Sequence, residues 1–453
     1  MMKKSLLCIS LSLALAGCAM DPKEIVAPAL PEAFEATVAE NAVSQVNLQW
    51  WKDFKDPELD RLVDLALKNA TDLKVAMLNV EKADAVLWQS GAKLLPTIDA
   101  EGTAERTGKD FHKHDKSAFE VEASAAWELD FWGKSYAARV ASLESREGAK
   151  FAAQSVRLSL AGSVCQTYFD WLSTNAAIKS TAMSVENREK ALKIVENKFN
   201  VGVATPVDVE NAKSSLASIQ ADLASLKLAR EKLITAMKIL TGDLTVTMKD
   251  GDLMAVPAVV KPGIPSEVLL MRPDVRKAEA DLRAKGALVH VARTAFFPSI
   301  KLTADTLTVG GALNQLFHTS TWGAGLMIDL PIFSAGSRIA KYNEAKLDEQ
   351  IALEKYRQTA FNAYKDVEDS LNEVRYTKDI ADARRVAKVS ADKAERRAMV
   401  RYEAGVASFM ELLDAQRSAN SANVAYYNAH ESELNAIVHL MMALGAVEEV
   451  DGN

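Results

Sequence analysis

Cysteine, histidine and aromatic residues are all scarce in this chain, and each scarcity removes a class of function. The 453 residues contain three cysteines, Cys8, Cys18 and Cys165. Two lie near the N-terminus, which leaves Cys165 alone and without a partner for an intrachain disulfide. In the helical setting Ser163-Val164-Cys165-Gln166 it reads as a small buried hydrophobe. The six histidines (His112, His114, His290, His318, His430, His439) are scattered, with no triplet at metal-ligand spacing. His112 and His114 share a polar loop between two strand-like segments, and two imidazoles do not complete a site. No Ser-centred nucleophile elbow and no Gly-rich phosphate loop occurs. These absences argue against an enzyme, and neither a metal nor a cofactor is expected. Positive charge is also short: 54 Lys and Arg face 61 Asp and Glu, a net charge of -7. With no basic patch, nucleic acid is not an expected partner. Aromatics make up only 7%, against 49% hydrophobic residues overall, a balance typical of Ala-rich helix packing.

The N-terminus carries an address. Lys3 and Lys4 precede an apolar stretch from Leu6 to Leu15, followed by Ala16-Gly17-Cys18. A basic region, a short apolar region and small residues at the cut site form a secretory signal, here residues 1–17. The stretch is too short for a spanning helix. Cys18 directly after Ala-Gly resembles a lipobox, in which the thiol is acylated and becomes the first mature residue. An ordinary cleavage site beside a Cys is the alternative. Ala19 rather than Asp follows the Cys, which in bacterial lipoproteins resembles an outer-membrane destination. Residues 18–57 then form a lipid-anchored N-terminal segment. One lipidated residue anchors a protein but does not span a membrane.

The body of the chain is an internal duplication. Residues 71–98 align with 273–300, pairing Asp72 with Asp274, Ala85 with Ala287 and Pro96 with Pro298. Farther on, Val201-Gly202-Val203-Ala204-Thr205 aligns with Ala404-Gly405-Val406-Ala407-Ser408, and Gly242 with Gly445, at nearly the same offset. Each copy has one order of elements: repeat 1 over 58–242, a linker over 243–272, and repeat 2 over 273–447. A helix (about 58–94, about 273–296) precedes two strands, a very long helix (about 135–200, about 337–403) and a last helix (about 206–241, about 409–444). The long helices run roughly 65 residues, about 100 Å at 1.5 Å per residue. They lack internal Pro and are rich in good helix formers, and such lengths call for side-by-side coiled packing. Ser408-Phe409-Met410-Glu411 has the form of a capping box. Thr205 caps the corresponding helix, with Pro206 at its first position, and Gly202 and Gly405 suit the ends of the long helices.

The strand segments alternate. In 118–131, Phe119, Val121, Ala123, Ala125, Trp127, Leu129 and Phe131 fall on one face, with Glu120, Glu122, Ser124, Glu128 and Asp130 on the other. Residues 97–107 repeat the pattern more weakly, and repeat 2 offers strands at about 299–309 and 320–330. Period-2 alternation over 9–11 residues or more, with Trp and Phe near the strand ends, matches a strand with lipid on one side and water on the other. Amphipathic hairpins packed on a soluble core are the alternative. Four strands cannot close a barrel around a pore, and open edges are not tolerated in lipid. If the strands span, several chains must share one barrel, and three chains would supply twelve strands.

Three segments carry a family resemblance: Trp50-Trp51-Lys52-Asp53-Phe54-Lys55-Asp56-Pro57-Glu58-Leu59, Pro265-Ser266-Glu267-Val268-Leu269-Leu270-Met271-Arg272-Pro273-Asp274, and Leu412-Leu413-Asp414-Ala415-Gln416-Arg417-Ser418. Together with the duplication, from Cys18 to about Val447, the chain resembles the TolC-like outer-membrane factors of tripartite efflux systems, lipoprotein branch. The resemblance implies a mixed α and β membrane protein. Its homotrimer forms a 12-stranded outer-membrane β-barrel, four strands per chain, continued by a 12-helix periplasmic α-barrel. The implied function is passive export of drugs or other small toxic compounds with a periplasmic adaptor and an inner-membrane resistance-nodulation-division (RND) transporter. Adaptor docking falls on the tips, Val201, Gly202, Val203 and Thr205 with Gly405, Val406 and Ser408. A periplasmic gate falls on Met410, Asp414 and Arg417. Their i, i+4 and i, i+3 spacings put all three on one helix face, where threefold symmetry would turn each into a ring. An exposed ion pair between Asp414 and Arg417 is the plain alternative. Asn211 stands at the first-copy position matching Asp414, so the two tips are not expected to be equivalent. A type I protein secretion duct and a periplasmic structural or adaptor lipoprotein are the rival functions.

Overall fold

The computed structural model describes residues 29–35, 48–108, 116–249, 251, 253–257 and 272–446. The signal segment, Cys18, His112 and His114, and much of the 243–272 linker lie outside the described residues.

The two copies fold alike. Copy one comprises α1 (Pro57–Asn69), α2 (Thr71–Ala92), β1 (Thr97–Thr107), β2 (Lys116–Glu128), α3 (Lys134–Asn200) and α4 (Pro206–Thr241). Copy two comprises α5 (Pro273–Thr294), β3 (Ser299–Gly310), β4 (Ser320–Asp329), α6 (Ser337–Glu403) and α7 (Phe409–Ala443). Both long helices, α3 and α6, have 67 residues. No described helix is long and apolar enough to cross a membrane.

Three details differ from the sequence reading. The first helix is two helices, because Ala70 leaves helical geometry (ψ 131°). The break lets α1 bury Leu59, Leu62 and Val63 in the core while α2 runs along α3. Asp130 is not a strand residue: β2 ends at Glu128, and the Asp130 carboxylate accepts from the backbone N–H of Ser135 and Tyr136 at 3.0 and 2.8 Å. A carboxylate at a helix start meets unpaired donors there. Finally, the complete capping box belongs to copy one. Thr205 Oγ1 accepts from Asp208 N (3.2 Å) and Thr205 N donates to Asp208 Oδ2 (3.0 Å). Ser408 accepts from Glu411 N, but the Glu411 carboxylate turns to Arg401, 3.5 Å away.

The four strands form one antiparallel sheet in the order β1-β2-β3-β4. Directly paired residues share a face, and the register aligns the faces across the two copies. Ile98, Ala125, Ala304 and Ala324 form one row, with Trp127, Leu302 and Leu326 beside it. The opposite face sets Glu101 against Glu122, and Asp99, Ser124 and Asp305 in one row. The apolar face is largely exposed, Ile98 by 80% and Trp322 by 83%, and among the described residues β1 and β4 have free edges.

The main core lies midway along the long helices. Trp50 and Phe54, from a short 3-10 turn, pack with Leu59 and Leu62 of α1, Tyr168, Phe169 and Leu172 of α3, and Leu434, Ile437 and Met441 of α7. Asp56 organises the entry: it caps α1 through Glu58 N and Leu59 N and accepts the Tyr168 hydroxyl at 2.9 Å. Burial and the Asp56 charge raise the Tyr168 pKa. Cys165 sits in this core, fully buried, and burial pushes its thiol pKa up. The sheet joins the helices through Trp132, whose indole donates to Pro298 O at 2.6 Å and stacks on Phe297.

Candidate functional site

The end of the molecule far from the sheet is built by two helix–turn–helix tips. Gly202 and Gly405 adopt positive φ, 80° and 74°, where glycine carries no Cβ penalty. Around each, the same pair of bonds closes the long helix. Val203 N donates to Lys198 O and Gly202 N to Phe199 O; Val406 N donates to Arg401 O and Gly405 N to Tyr402 O. This arrangement satisfies carbonyls left open at a helix end. Val201, Val203 and Val406 are each at least 66% exposed at the turns, and Gly202, Thr205, Gly405 and Ser408 are exposed beside them. Three valines in water are an unusual surface for a turn that only reverses the chain.

Behind the turns the tips share a small core. Val195, Val209 and Ala212 of the first hairpin pack with Tyr402, Phe409, Leu412 and Leu413 of the second. Lys198 crosses between them, donating to Tyr402 O at 2.7 Å with its ammonium 3.9 Å from the Tyr402 ring centroid. Higher up, the Asn187 amide donates to Glu395 of α6 at 3.1 Å. Burial raises the Glu395 carboxyl pKa against that hydrogen bond.

Met410, Asp414 and Arg417 lie on successive turns of α7, and all three are exposed. Asp414 and Arg417 form no salt bridge within the chain among the described residues, so the plain ion-pair alternative is not realised there. Asn211 of α4 reaches the same face, its amide 3.9 Å from Met410 Sδ. Arg188 of α3 is buried behind Arg417 and donates to Ser215 O at 2.7 Å. Burial first, and then the Arg417 charge, lower its pKa. Lys198, Tyr402 and Arg188 were not singled out from the sequence. Their roles depend on contacts between hairpins, which leave no periodic signal in either one.

A sheet with one apolar and one acidic face, set on paired helical hairpins of about 100 Å, defines the channel class of outer-membrane proteins. The chain belongs to the outer membrane efflux protein family, whose pattern matches residues 62–242 and 264–446. It is 30% identical to the probable efflux pump outer membrane protein TtgC of Pseudomonas putida, covering 98% of this chain and 96% of that protein. It is 28% identical to the cation efflux system protein CusC of Escherichia coli, covering 97% and 98%. Among solved structures, the Campylobacter jejuni CmeC outer membrane channel superposes with a TM-score of 0.86 at 28% identity, covering 95% and 96%. The open state of the Neisseria gonorrhoeae MtrE outer membrane channel gives 0.82 at 28% identity, covering 94% and 98%. The protein is therefore a TolC-like outer-membrane channel of a tripartite efflux pump, with a helix-rich fold and four strands per chain.

Proposed function

We propose that three copies of this chain close one 12-stranded barrel in the outer membrane and continue it as a 12-helix duct through the periplasm. The carrying observation is the sheet: among the described residues its apolar face has no cover and its edge strands β1 and β4 have no partner. In lipid, unpaired strand edges are each costly, and closure with neighbouring copies removes them. The apolar face then meets lipid, and the acidic face, with Glu101, Glu122 and Asp305, lines water. A periplasmic adaptor lipoprotein would have no use for such a sheet.

In this assembly residues 1–17 are the secretory signal, and Cys18 carries lipid that tethers residues 18–57 to the outer membrane. The exposed tip residues Val201, Gly202, Val203, Thr205, Gly405, Val406 and Ser408 dock a periplasmic adaptor, which links the duct to an inner-membrane RND transporter. Met410, Asp414 and Arg417 narrow the periplasmic mouth as threefold rings, with Asp414 and Arg417 free to pair between copies. The cargo is drugs or other small toxic compounds. Relatives named for solvents, pyoverdine and cations match most of this chain, which supports placing cargo choice in the transporter.

The assembly is tested by outer-membrane fractionation, heat-modifiable migration and crosslinking of the purified protein. A trimer that unfolds only on heating is expected; a monomer in the membrane would overturn the reading. Radiolabelled palmitate should enter the wild type and not Cys18→Ser.

A further inference from the structure

Two carboxyl groups meet where α3 and α7 leave the main core. Asp170 of α3 and Glu431 of α7 converge on one side chain, Asn435 of α7. The Asn435 amide, one turn farther along α7, donates to both, at 3.5 Å to Asp170 Oδ1 and 3.1 Å to Glu431 Oε1. Asn435 Oδ1 is itself buried without a donor. An ionised carboxylate only accepts hydrogen bonds, and two acids gathered on one amide repel each other when both are ionised, so the arrangement favours a proton on one of them.

Among the described residues no cation forms a salt bridge with either acid. On α7, His430 faces Met254 O and Glu433, and His439 faces Glu373 of α6. On α6, Lys378 pairs with Asp382, and the α7 charge that acts on it is Glu433. On α4, Arg230 pairs with Glu231. The charged group acting on Glu431 is Asp170. Burial and that neighbour push the Glu431 carboxyl up to about 8.

The position gives the pair leverage. On its core side α7 buries Leu434, Ile437 and Val438; toward the tip it buries Gln416, Ala419, Asn423 and Ala429 until Leu413. The facing stretch of α3 likewise buries Ser173, Asn175, Ala177 and Thr181. Small and polar contacts hold less tightly than apolar ones. The acid pair therefore stands at the border between a firm core and a loosely held length of two helices.

We infer that Asp170 and Glu431 form a proton-operated latch between the first long helix and the last helix, closed while the pair holds one proton and weakened when both acids ionise. The sign follows from linkage. The latched form binds more protons than a loosened form, in which Glu431 titrates near its ordinary value of 4.5. Latching is favoured at low pH, is lost progressively as pH rises from about 4.5 to about 8, and is constant above that. One linked proton changes the latched-to-loosened ratio by at most about tenfold per pH unit. Because α7 also carries Met410, Asp414 and Arg417, alkaline medium should favour an open mouth; that consequence rests on the proposed gate, while the latch does not.

The test uses the full-length protein in detergent, with thermal unfolding followed at pH 5, 6, 7 and 8 for wild type, Glu431→Gln and Asp170→Asn. Either amide variant should gain stability relative to wild type as pH rises, beginning between pH 5 and 6. His430 and His439, whose pKa values are raised by Glu433 and Glu373, lose their pairing only above about 6.5. A difference confined to that upper range, or identical pH slopes in all three proteins, would overturn the latch. Two isosteric variants keep the test intact if one fails to fold. In planar bilayers, wild-type opening should rise with pH and that of Glu431→Gln should not. If the thermal result holds while conductance ignores pH, the latch stands and the gate assignment falls.

Discussion

Lys198 and Tyr402, 204 residues apart in the chain, are joined twice at the tip: the ammonium donates to the Tyr402 carbonyl at 2.7 Å and lies over its ring. This contact ties the first hairpin to the second. Replacing Lys198 with Met removes a charge-assisted hydrogen bond and a cation–π contact while keeping the aliphatic stem. A loss of about 1–2 kcal/mol is expected. Tyr402→Phe should be close to neutral, since neither the carbonyl nor the ring is lost. Thermal unfolding of the two variants side by side checks the contrast.

The sheet makes a prediction that depends on face. Ala304 lies in the apolar row with Ala125 and Ala324, whereas Asp305, the next residue, lies in the acidic row. Ala304→Arg should cost about 2–4 kcal/mol in the bilayer and abolish recovery from outer-membrane fractions. Asp305→Arg should insert normally and shift ion selectivity away from cations in planar bilayers. Equal insertion of both variants would overturn the assignment of faces.

Neutralising the gate charges, as Asp414→Asn with Arg417→Gln, should raise single-channel conductance roughly twofold or more, because charged rings at a constriction limit passage. Unchanged conductance would remove these residues from the gate. The same substitutions should barely affect stability, as both side chains are exposed.

Arg272 closes the top of the last helix. Its guanidinium reaches Ala443 O at 2.9 Å and the carboxylates of Asp274 and Asp366 at 2.7 and 3.1 Å. Arg272→Lys keeps the charge but loses the fork that serves all three groups. A loss of about 2 kcal/mol is expected, visible as a lower unfolding temperature.

Gly242 ends α4 at φ 63°, and a Cβ there would lie 2.8 Å from the Asn69 carbonyl at the end of α1. Gly242→Ala combines backbone strain with a clash against backbone, and should cost about 2 kcal/mol or more. Expression of the folded protein at several temperatures would show it.

Much of the architecture is legible in the residue pattern alone. The lengths of both long helices, both tip glycines and all four strands follow from local rules: helix propensity, caps and period-2 alternation act within a few residues. The boundaries of α4, α6 and β1 agree with that reading to the residue. Asp130 and Glu411 show its limit, because a carboxylate in a favourable pattern takes whichever donor the fold brings near.

The sequence by itself determined which faces are apolar, where the chain turns, and that the unit occurs twice. Tertiary structure decided which faces meet. The pairing of β2 with β3 across the two copies, the break at Ala70, the reach of Lys198 to Tyr402 and the convergence of Asp170 and Glu431 on Asn435 all depend on groups far apart in the chain. Periodicity records that a side chain needs a partner and on which side. It carries no information about which distant residue supplies one, since many partners satisfy the same local pattern and only packing in three dimensions selects among them.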